Sequence, residues 1–182
     1  MKTNNVLIFF LRNSRPLILI LLFVFFSCFT STFWSLKSGG NLANILLQQA
    51  PFSILLAVSM TLVIILNGFD LSIGAAVALI TCVCGMILHA TYNPWLAIAA
   101  AMAMGCIAGL VNGFLVAKVG ISSFVATYST QWIFQGIAYV LLGGSQIFDL
   151  GPSFRKIFIS NKWTFIIIAV VVLIIVQVIL SC

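Results

Sequence analysis

Only two side chains in this sequence carry a carboxylate, Asp70 and Asp149, and only one carries an imidazole, His89. An acid pair that shares a proton, as in an intramembrane aspartyl protease, needs both carboxylates at one depth. Asp149 sits in a polar stretch beside Gly151-Pro152, whereas Asp70 lies between two long apolar runs, so the spacing speaks against that chemistry. Cys82 and Cys84, with His89 nearby, invite a metal reading. Residues two apart on a helix face different sides, however, and these cysteines read more simply as small packing residues. The other cysteines, Cys28, Cys106 and Cys182, are scattered along the chain, and no disulfide framework suggests itself. Neither a metal nor a cofactor is expected. What remains is the group Asn67, Gly68, Asp70 and Ser72. Asparagine and glycine loosen a helix, and the carboxylate or the hydroxyl can accept from the unpaired amides of a new helix start. An ionisable group at membrane depth costs ~2.5–3.5 kcal/mol on insertion scales and is a functional hypothesis by default. Two roles therefore stand side by side for Asp70: helix cap, or polar group on a path.

The elements that must position this break follow from composition. Apolar residues make up 63% of the chain and charged residues 5%, against roughly 25% charged in a soluble domain. The net charge of +6 comes from 8 Lys and Arg against 2 acids. Those cations lie singly or in pairs between apolar runs, without the basic face that nucleic-acid binding requires, so they are read as membrane-flanking charges and no nucleic-acid partner is expected. The fold class is all-α, a polytopic transmembrane helix bundle in a lipid bilayer, read as one domain over residues 1–182. About six stretches approach the ~20 apolar residues of a bilayer crossing: residues 16–35, 43–66, 71–89, 94–117, 121–142 and 163–181.

Each stretch has its own signals. Lys2, Arg12 and Arg15 precede the first, which is too long for a signal-peptide core and is read as an uncleaved helix, with Trp34 and Lys37 at its far end. The Ser38-Gly39-Gly40 turn precedes the second, and Pro51 is expected to kink it. Asn93-Pro94 starts the fourth, where Gly105, Gly109 and Gly113 recur every four residues, a spacing that lets helices approach closely in lipid. Asn112 beside them is read as an interhelical hydrogen-bonding residue. The fifth is unusually polar, with Ser122, Ser123, Thr127, Ser129, Thr130, Gln131 and Gln135, so one face should avoid lipid. In the long connection that follows, S-F-R-K-I-F-I is expected to form a short interfacial helix. The sequence stops at Ser181-Cys182 directly after the sixth stretch, which suggests a truncated chain.

The run A-V-S-M-T-L-V-I-I-L-N-G-F-D-L-S-I-G, Ala57 to Gly74, resembles the signature of ribose-type permeases of ABC importers, the inner-membrane subunits for ribose, xylose, arabinose, galactose and autoinducer-2 sugars. G-L-V-N-G-F-L-V-A-K from Gly109 to Lys118, F-V-A-T-Y from Phe124 to Tyr128, and G-I-A-Y-V-L-L-G-G-S-Q-I from Gly136 to Ile147 are similar in the same order. Ser59 replaces a glycine of that pattern and Phe69 an isoleucine; Ser122 and Ser123 stand where prolines are common, and Gln135 where an arginine often precedes the glycine.

The resemblance implies half of a type II-like ABC importer permease, corresponding to about the N-terminal half of such a subunit. It implies four kinds of partner: an ABC ATPase subunit, a second permease subunit, an extracytoplasmic sugar-binding protein and the lipid bilayer. It places the chain in the bacterial inner membrane with a cytoplasmic N-terminus. The chain is expected to be no enzyme and to bind no nucleotide, since it has no G-x-x-x-x-G-K-[ST] loop. A neutral sugar needs a wet path of hydroxyls and amides, and Asn67, Asp70 and Ser72, with Thr127, Gln131 and Gln135, are the residues expected to line or shape it. Six crossings put Lys2, Arg12, Arg15 and Lys118 inside and Lys37, Arg155, Lys156 and Lys162 outside, a balance that the positive-inside rule does not decide. A re-entrant hairpin at Asn67 to Asp70 would improve that balance; six crossings are preferred because a cytoplasmic coupling segment should follow the sixth. Arg155 and Lys156 are then candidates for docking the sugar-binding protein. The rival expectation is a non-transporting remnant of such a permease.

Overall fold

The computed structural model describes residues 14–31, 33–34, 41–147, 149–160 and 163–181. Lys2, Arg12, Lys37, Lys162, the Ser38-Gly39-Gly40 turn and Cys182 lie outside the described residues. Among the described residues every regular element is helical: α1 (Ser14–Phe29), α2 (Asn41–Ile65), α3 (Ile73–Thr91), α4 (Pro94–Ala117), α5 (Ser123–Leu142), α6 (Pro152–Phe154, continuing as a π turn over Arg155–Ser160) and α7 (Trp163–Ser181). Two compact units divide after Pro51.

In the first unit the described part of α1 runs 16 residues, Ser14–Phe29, within and just ahead of the expected stretch 16–35. A turn in which the Phe33 amide donates to the Thr30 carbonyl brings Phe33 and Trp34 back onto Phe23, with ring centroids 5.2 and 5.8 Å away. Ahead of Pro51 the helical ladder widens into a π turn over Ile45–Gln49, closed by the Ala50 amide on the Ile45 carbonyl. Proline has no N–H to offer the preceding turn and its ring crowds the carbonyl four residues back, and the π turn is the local adjustment.

α2, of which residues 52–65 belong to the second unit, and α3, α4 and α7 of that unit are long and apolar enough to cross a membrane. The fifth expected span, α5, has the length, 20 residues, but fails on composition because of its hydroxyls and amides. It is nonetheless packed as its neighbours are. Ala75 and Leu79 of α3, Ala108 of α4, and Phe134 and Ala138 of α5 form one buried cluster, with Cys82, Val83 and Met104 against it. Three of those five residues are alanine, which lets the helices approach closely where lipid supplies no hydrophobic drive to associate.

The connections within this unit are short and each has a chemical reason. α2 ends with Asn67 in the left-handed region, φ +55°. The Gly68 amide donates to the Val63 carbonyl and the Asn67 amide to the Ile64 carbonyl, the two bonds of a Schellman stop. α3 ends on Tyr92, φ +51°, and α4 begins at once, with Asn93 Oδ1 accepting from the amides of Trp95 and Leu96 and with Pro94 as the first helical residue. Gly120, φ +80°, makes the tight turn from α4 into α5. The S-F-R-K-I-F-I segment is helical as expected, and Phe158 lies near Phe154 and Phe165.

Candidate functional site

The break between α2 and α3 is irregular backbone, and its N–H and C=O groups get no partners from a helical ladder. α5 supplies partners instead. Ser123 Oγ accepts from the Phe69 amide at 3.2 Å, and Thr127 Oγ1 accepts from the Leu71 amide at 3.2 Å while donating to the Ser123 carbonyl at 2.7 Å. Gly68 lies tightly on Val63 in the same turn; a Cβ there would stand 3.3 Å from Val63 Cγ1. The hydroxyl at Ser123, where the resembling pattern commonly has proline, is thus in use as a backbone acceptor.

Asp70 turns its carboxylate onto its own chain. Oδ1 accepts from the Ser72 amide at 2.8 Å and from Ser72 Oγ at 2.7 Å. This is an Asx turn just ahead of α3: the amide satisfied is that of Ser72, the N-cap residue, and no amide inside the helix receives a side-chain cap. From Ser72 the hydrogen bonds continue across the bundle. Asn112 Nδ2 of α4 donates to Ser72 Oγ at 2.7 Å, and Thr130 Oγ1 of α5 donates to Asn112 Oδ1 at 2.7 Å. Ser72, Thr127 and Thr130 are 1%, 3% and 2% exposed. Three helices are therefore tied by one directed chain, Thr130 to Asn112 to Ser72 to Asp70, with no buried side-chain polar atom among the described residues left without a partner.

A second polar cluster lies at the other end of α3. Tyr92 Oη donates to Asp149 Oδ2 at 3.0 Å, and the Gly151 amide donates to Asp149 Oδ1 at 3.0 Å. These two bonds hold the Asp149 carboxyl below the usual carboxylate range, the Gly151 amide first, with the charges of His89 and Arg155 adding to it. The bond to Asp149 in turn pushes the Tyr92 phenol up. Gly151, buried at φ +74°, lies against the Tyr92 ring; a Cβ there would fall 2.5 Å from Tyr92 Cδ1. Ile147 packs over Gly85 beside it. The two carboxylates of the chain thus stand at opposite ends of the 19-residue α3, a helix about 28 Å long at 1.5 Å per residue, and form no acid pair.

The remaining expected residues separate into groups. Asn67 and Gly68 act as the stop of α2, with Asn67 exposed. Gln131 and Gln135 are half-buried on α5 and make no side-chain hydrogen bond to any described residue. Of the glycine stripe, a Cβ on Gly105 would meet Ile80 Cδ1 at 3.8 Å, while one on Gly109 or Gly113 would meet nothing within 4 Å. The face of α4 turned to α3 and α5 runs instead through Ala108 and Asn112, the neighbouring helical stripe. Arg155 and Lys156 are exposed on the π turn of α6. Cys82 packs at the core and Cys84 Sγ bonds the Ala97 carbonyl at 3.3 Å. Thr130 is visible in the sequence only as part of a polar helix, Ser123 also as a departure from the prolines of the resembling pattern, and Tyr92 carries no signal.

Known proteins bear on this arrangement. The chain is 36% identical over 138 residues to the ribose import permease protein RbsC of Escherichia coli K12, a match covering 75% of this chain and 42% of that protein. It is 29% identical over 152 residues to the autoinducer 2 import system permease protein LsrC of Salmonella typhi, covering 81% of this chain and 43% of the relative. The chain thus spans about two fifths of the length of the curated relatives it matches. No solved structure matches it. Residues 41–182, from the start of α2 through both polar clusters to the last residue, match the family described as branched-chain amino acid transport system / permease component, and the chain belongs to that family of membrane permeases.

Proposed function

We propose that this chain is the membrane-spanning permease part of an ATP-driven importer for a monosaccharide of the ribose, xylose, arabinose, galactose or autoinducer-2 kind. The observation that carries the reading is the match to ribose and autoinducer-2 permeases across the bundle that holds the hydroxyl and amide network. Hydroxyls and amides with no fixed cation suit a neutral polyol, which has no charge to be countered. On this reading the chain sits in the bacterial inner membrane, N-terminus inside. It works with a separate ATP-hydrolysing subunit, a second permease subunit and an extracytoplasmic sugar-binding protein.

Within that machine Asn67, Gly68, Asp70, Ser72 and Thr127 shape the path by fixing where α2 ends and α3 begins, and Gln131 and Gln135 line it. Gly109 and Gly113 offer their open stripe to a neighbouring helix. Arg155 and Lys156 present cations to acidic residues of the sugar-binding protein; reversing both charges is expected to weaken that docking, and unchanged docking refutes the assignment. Uptake of a panel of radiolabelled monosaccharides, in cells carrying the other importer subunits with and without this gene, tests the function itself. Loss of uptake of one sugar on deletion is expected. Unchanged uptake of every sugar in the panel overturns it.

A further inference from the structure

Read around α5 at about 100° per residue, the side chains fall into three faces. Ala126, Thr127, Thr130, Phe134 and Ala138 are buried against α3 and α4. Val125, Ile133, Ile137 and Val140 form an exposed aliphatic flank, and Ser129 on that flank turns its hydroxyl to the Val125 carbonyl at 2.8 Å. That flank is suited to lipid. The third face is different in kind. It holds Phe124, Tyr128, Trp132 and Tyr139, all exposed, and between these rings and the buried face lie the half-buried Gln131 and Gln135. The Phe124 and Tyr128 rings are nearly parallel, 4° apart with centroids at 6.2 Å, and Trp132 meets Tyr128 edge-on at 6.3 Å.

Lipid is a poor occupant for this face, because acyl chains would leave two amides with no partner. A second transmembrane helix approaches closest on small residues; the open small-residue stripe of this unit is on α4 at Gly109 and Gly113, whereas this face carries four large rings. Rings that present flat π faces beside amides that both donate and accept match the two surfaces of a sugar, its C–H face and its hydroxyl rim. We infer that the aromatic and amide face of α5 is the saccharide-contacting wall of the path, with Tyr128 and Trp132 stacking on the sugar ring and Gln131 and Gln135 binding its hydroxyls. This rests on the sugar-permease reading above and assigns its contact residues.

The test is uptake of radiolabelled ribose, xylose, arabinose and galactose by cells carrying the complete importer, using whichever sugar the unsubstituted protein takes up. Trp132→Leu keeps an apolar side chain but removes the ring, and the double variant Gln131→Leu, Gln135→Leu keeps bulk but removes both amides. Each is expected to lower uptake about tenfold or more, as when a site built to bind hydroxyls or stack a ring loses those groups, while the amount of subunit in the membrane stays constant. Trp132→Phe is expected to restore most of the rate. Unchanged uptake in both leucine variants overturns the inference while leaving the permease reading intact. So does equal loss in Trp132→Phe and Trp132→Leu accompanied by loss of the subunit from the membrane, which marks a packing role. No uptake of any of these sugars by the unsubstituted importer overturns both.

Discussion

Asn112 stands at the middle of a chain of hydrogen bonds whose direction is fixed by proton count. Each hydroxyl has one proton to give: Thr130 gives it to Asn112 Oδ1, and Ser72, already accepting from Asn112 Nδ2, gives its own to Asp70. Asn112→Ala therefore removes two interhelical bonds at once, while Ser72 Oγ keeps Asp70 and Thr130 Oγ1 keeps the Thr127 carbonyl at 3.2 Å. Hydrogen bonds between membrane helices are worth less than those of a dry soluble core, so a loss of about 1–2 kcal/mol is expected, read as a lower melting temperature of the detergent-purified protein. Asp70→Asn keeps an oxygen for both Ser72 donors and is expected to retain most of the stability and transport, whereas Asp70→Ala loses both. A large transport defect in the Asn variant would instead mark a need for the charge. At the far end of α3 the sign of the pH effect differs for the two partners. The Asp149 carboxyl is lowered in the fold, so its contribution is present above the unfolded carboxyl range and is lost as pH falls through the lowered value. The Tyr92 phenol is raised, so its contribution is present below the unfolded phenol range and is lost as pH rises through the raised value. The clamp is thus closed across neutral pH and opens at both extremes. Removing the carboxylate with Asp149→Ala is expected to let Tyr92 ionise at lower pH, measured by phenolate absorbance.

Helices and turns show which parts of this fold a sequence can announce. The stop at Asn67-Gly68 and the start at Asn93-Pro94 were legible, because capping depends on residues within a few positions of each other. The polarity of α5 was legible as a face that avoids lipid, but not which hydroxyl meets which backbone group, since Ser123 and Thr127 bond residues more than fifty positions away. The glycines of α4 show the limit most clearly. Their spacing states that a helix can come close but not from which side, and within this chain the contact is made by the adjoining Ala108 and Asn112 stripe. The two stripes give opposite expectations. Ala108→Leu overfills a cluster shared by three helices and is expected to cost about 1–3 kcal/mol in the isolated chain. Gly109→Leu is expected to leave the isolated chain's melting temperature unchanged and to weaken assembly with a second permease subunit, read by crosslinking in membranes. If Gly109→Leu destabilises the isolated chain as much as Ala108→Leu does, the stripe is internal and the neighbouring-helix role falls.

At the scale of the whole molecule, the two polar clusters fix which connections share a membrane side. Hydrogen bonds from Phe69 and Leu71 to Ser123 and Thr127 put the break before α3 at the same end of the bundle as the start of α5. The bond from Tyr92 to Asp149 puts the turn between α3 and α4 at the same end as the loop after α5. α3, α4 and α5 therefore run alternately up and down, and if α3 crosses the bilayer the other two cross with it, including the polar α5. Lys118 then shares a side with Asp70, and Arg155 and Lys156 share the opposite side with Tyr92. Charge counting left this undecided, since cations fall on both sides in similar number. Contact geometry supplies what the charges do not. Single cysteines introduced at Asn93 and Leu150, in a background with the native cysteines replaced by alanine or serine, are expected to react together with a membrane-impermeant thiol reagent added to intact cells. Cysteines at Phe69 and Val119 are expected to react only after the membrane is opened. Reaction of Asn93→Cys and Leu150→Cys from different sides would contradict the Tyr92–Asp149 contact, and with it the antiparallel order of the three helices. Reaction of all four from the same side would mean that α3 to α5 do not span the bilayer.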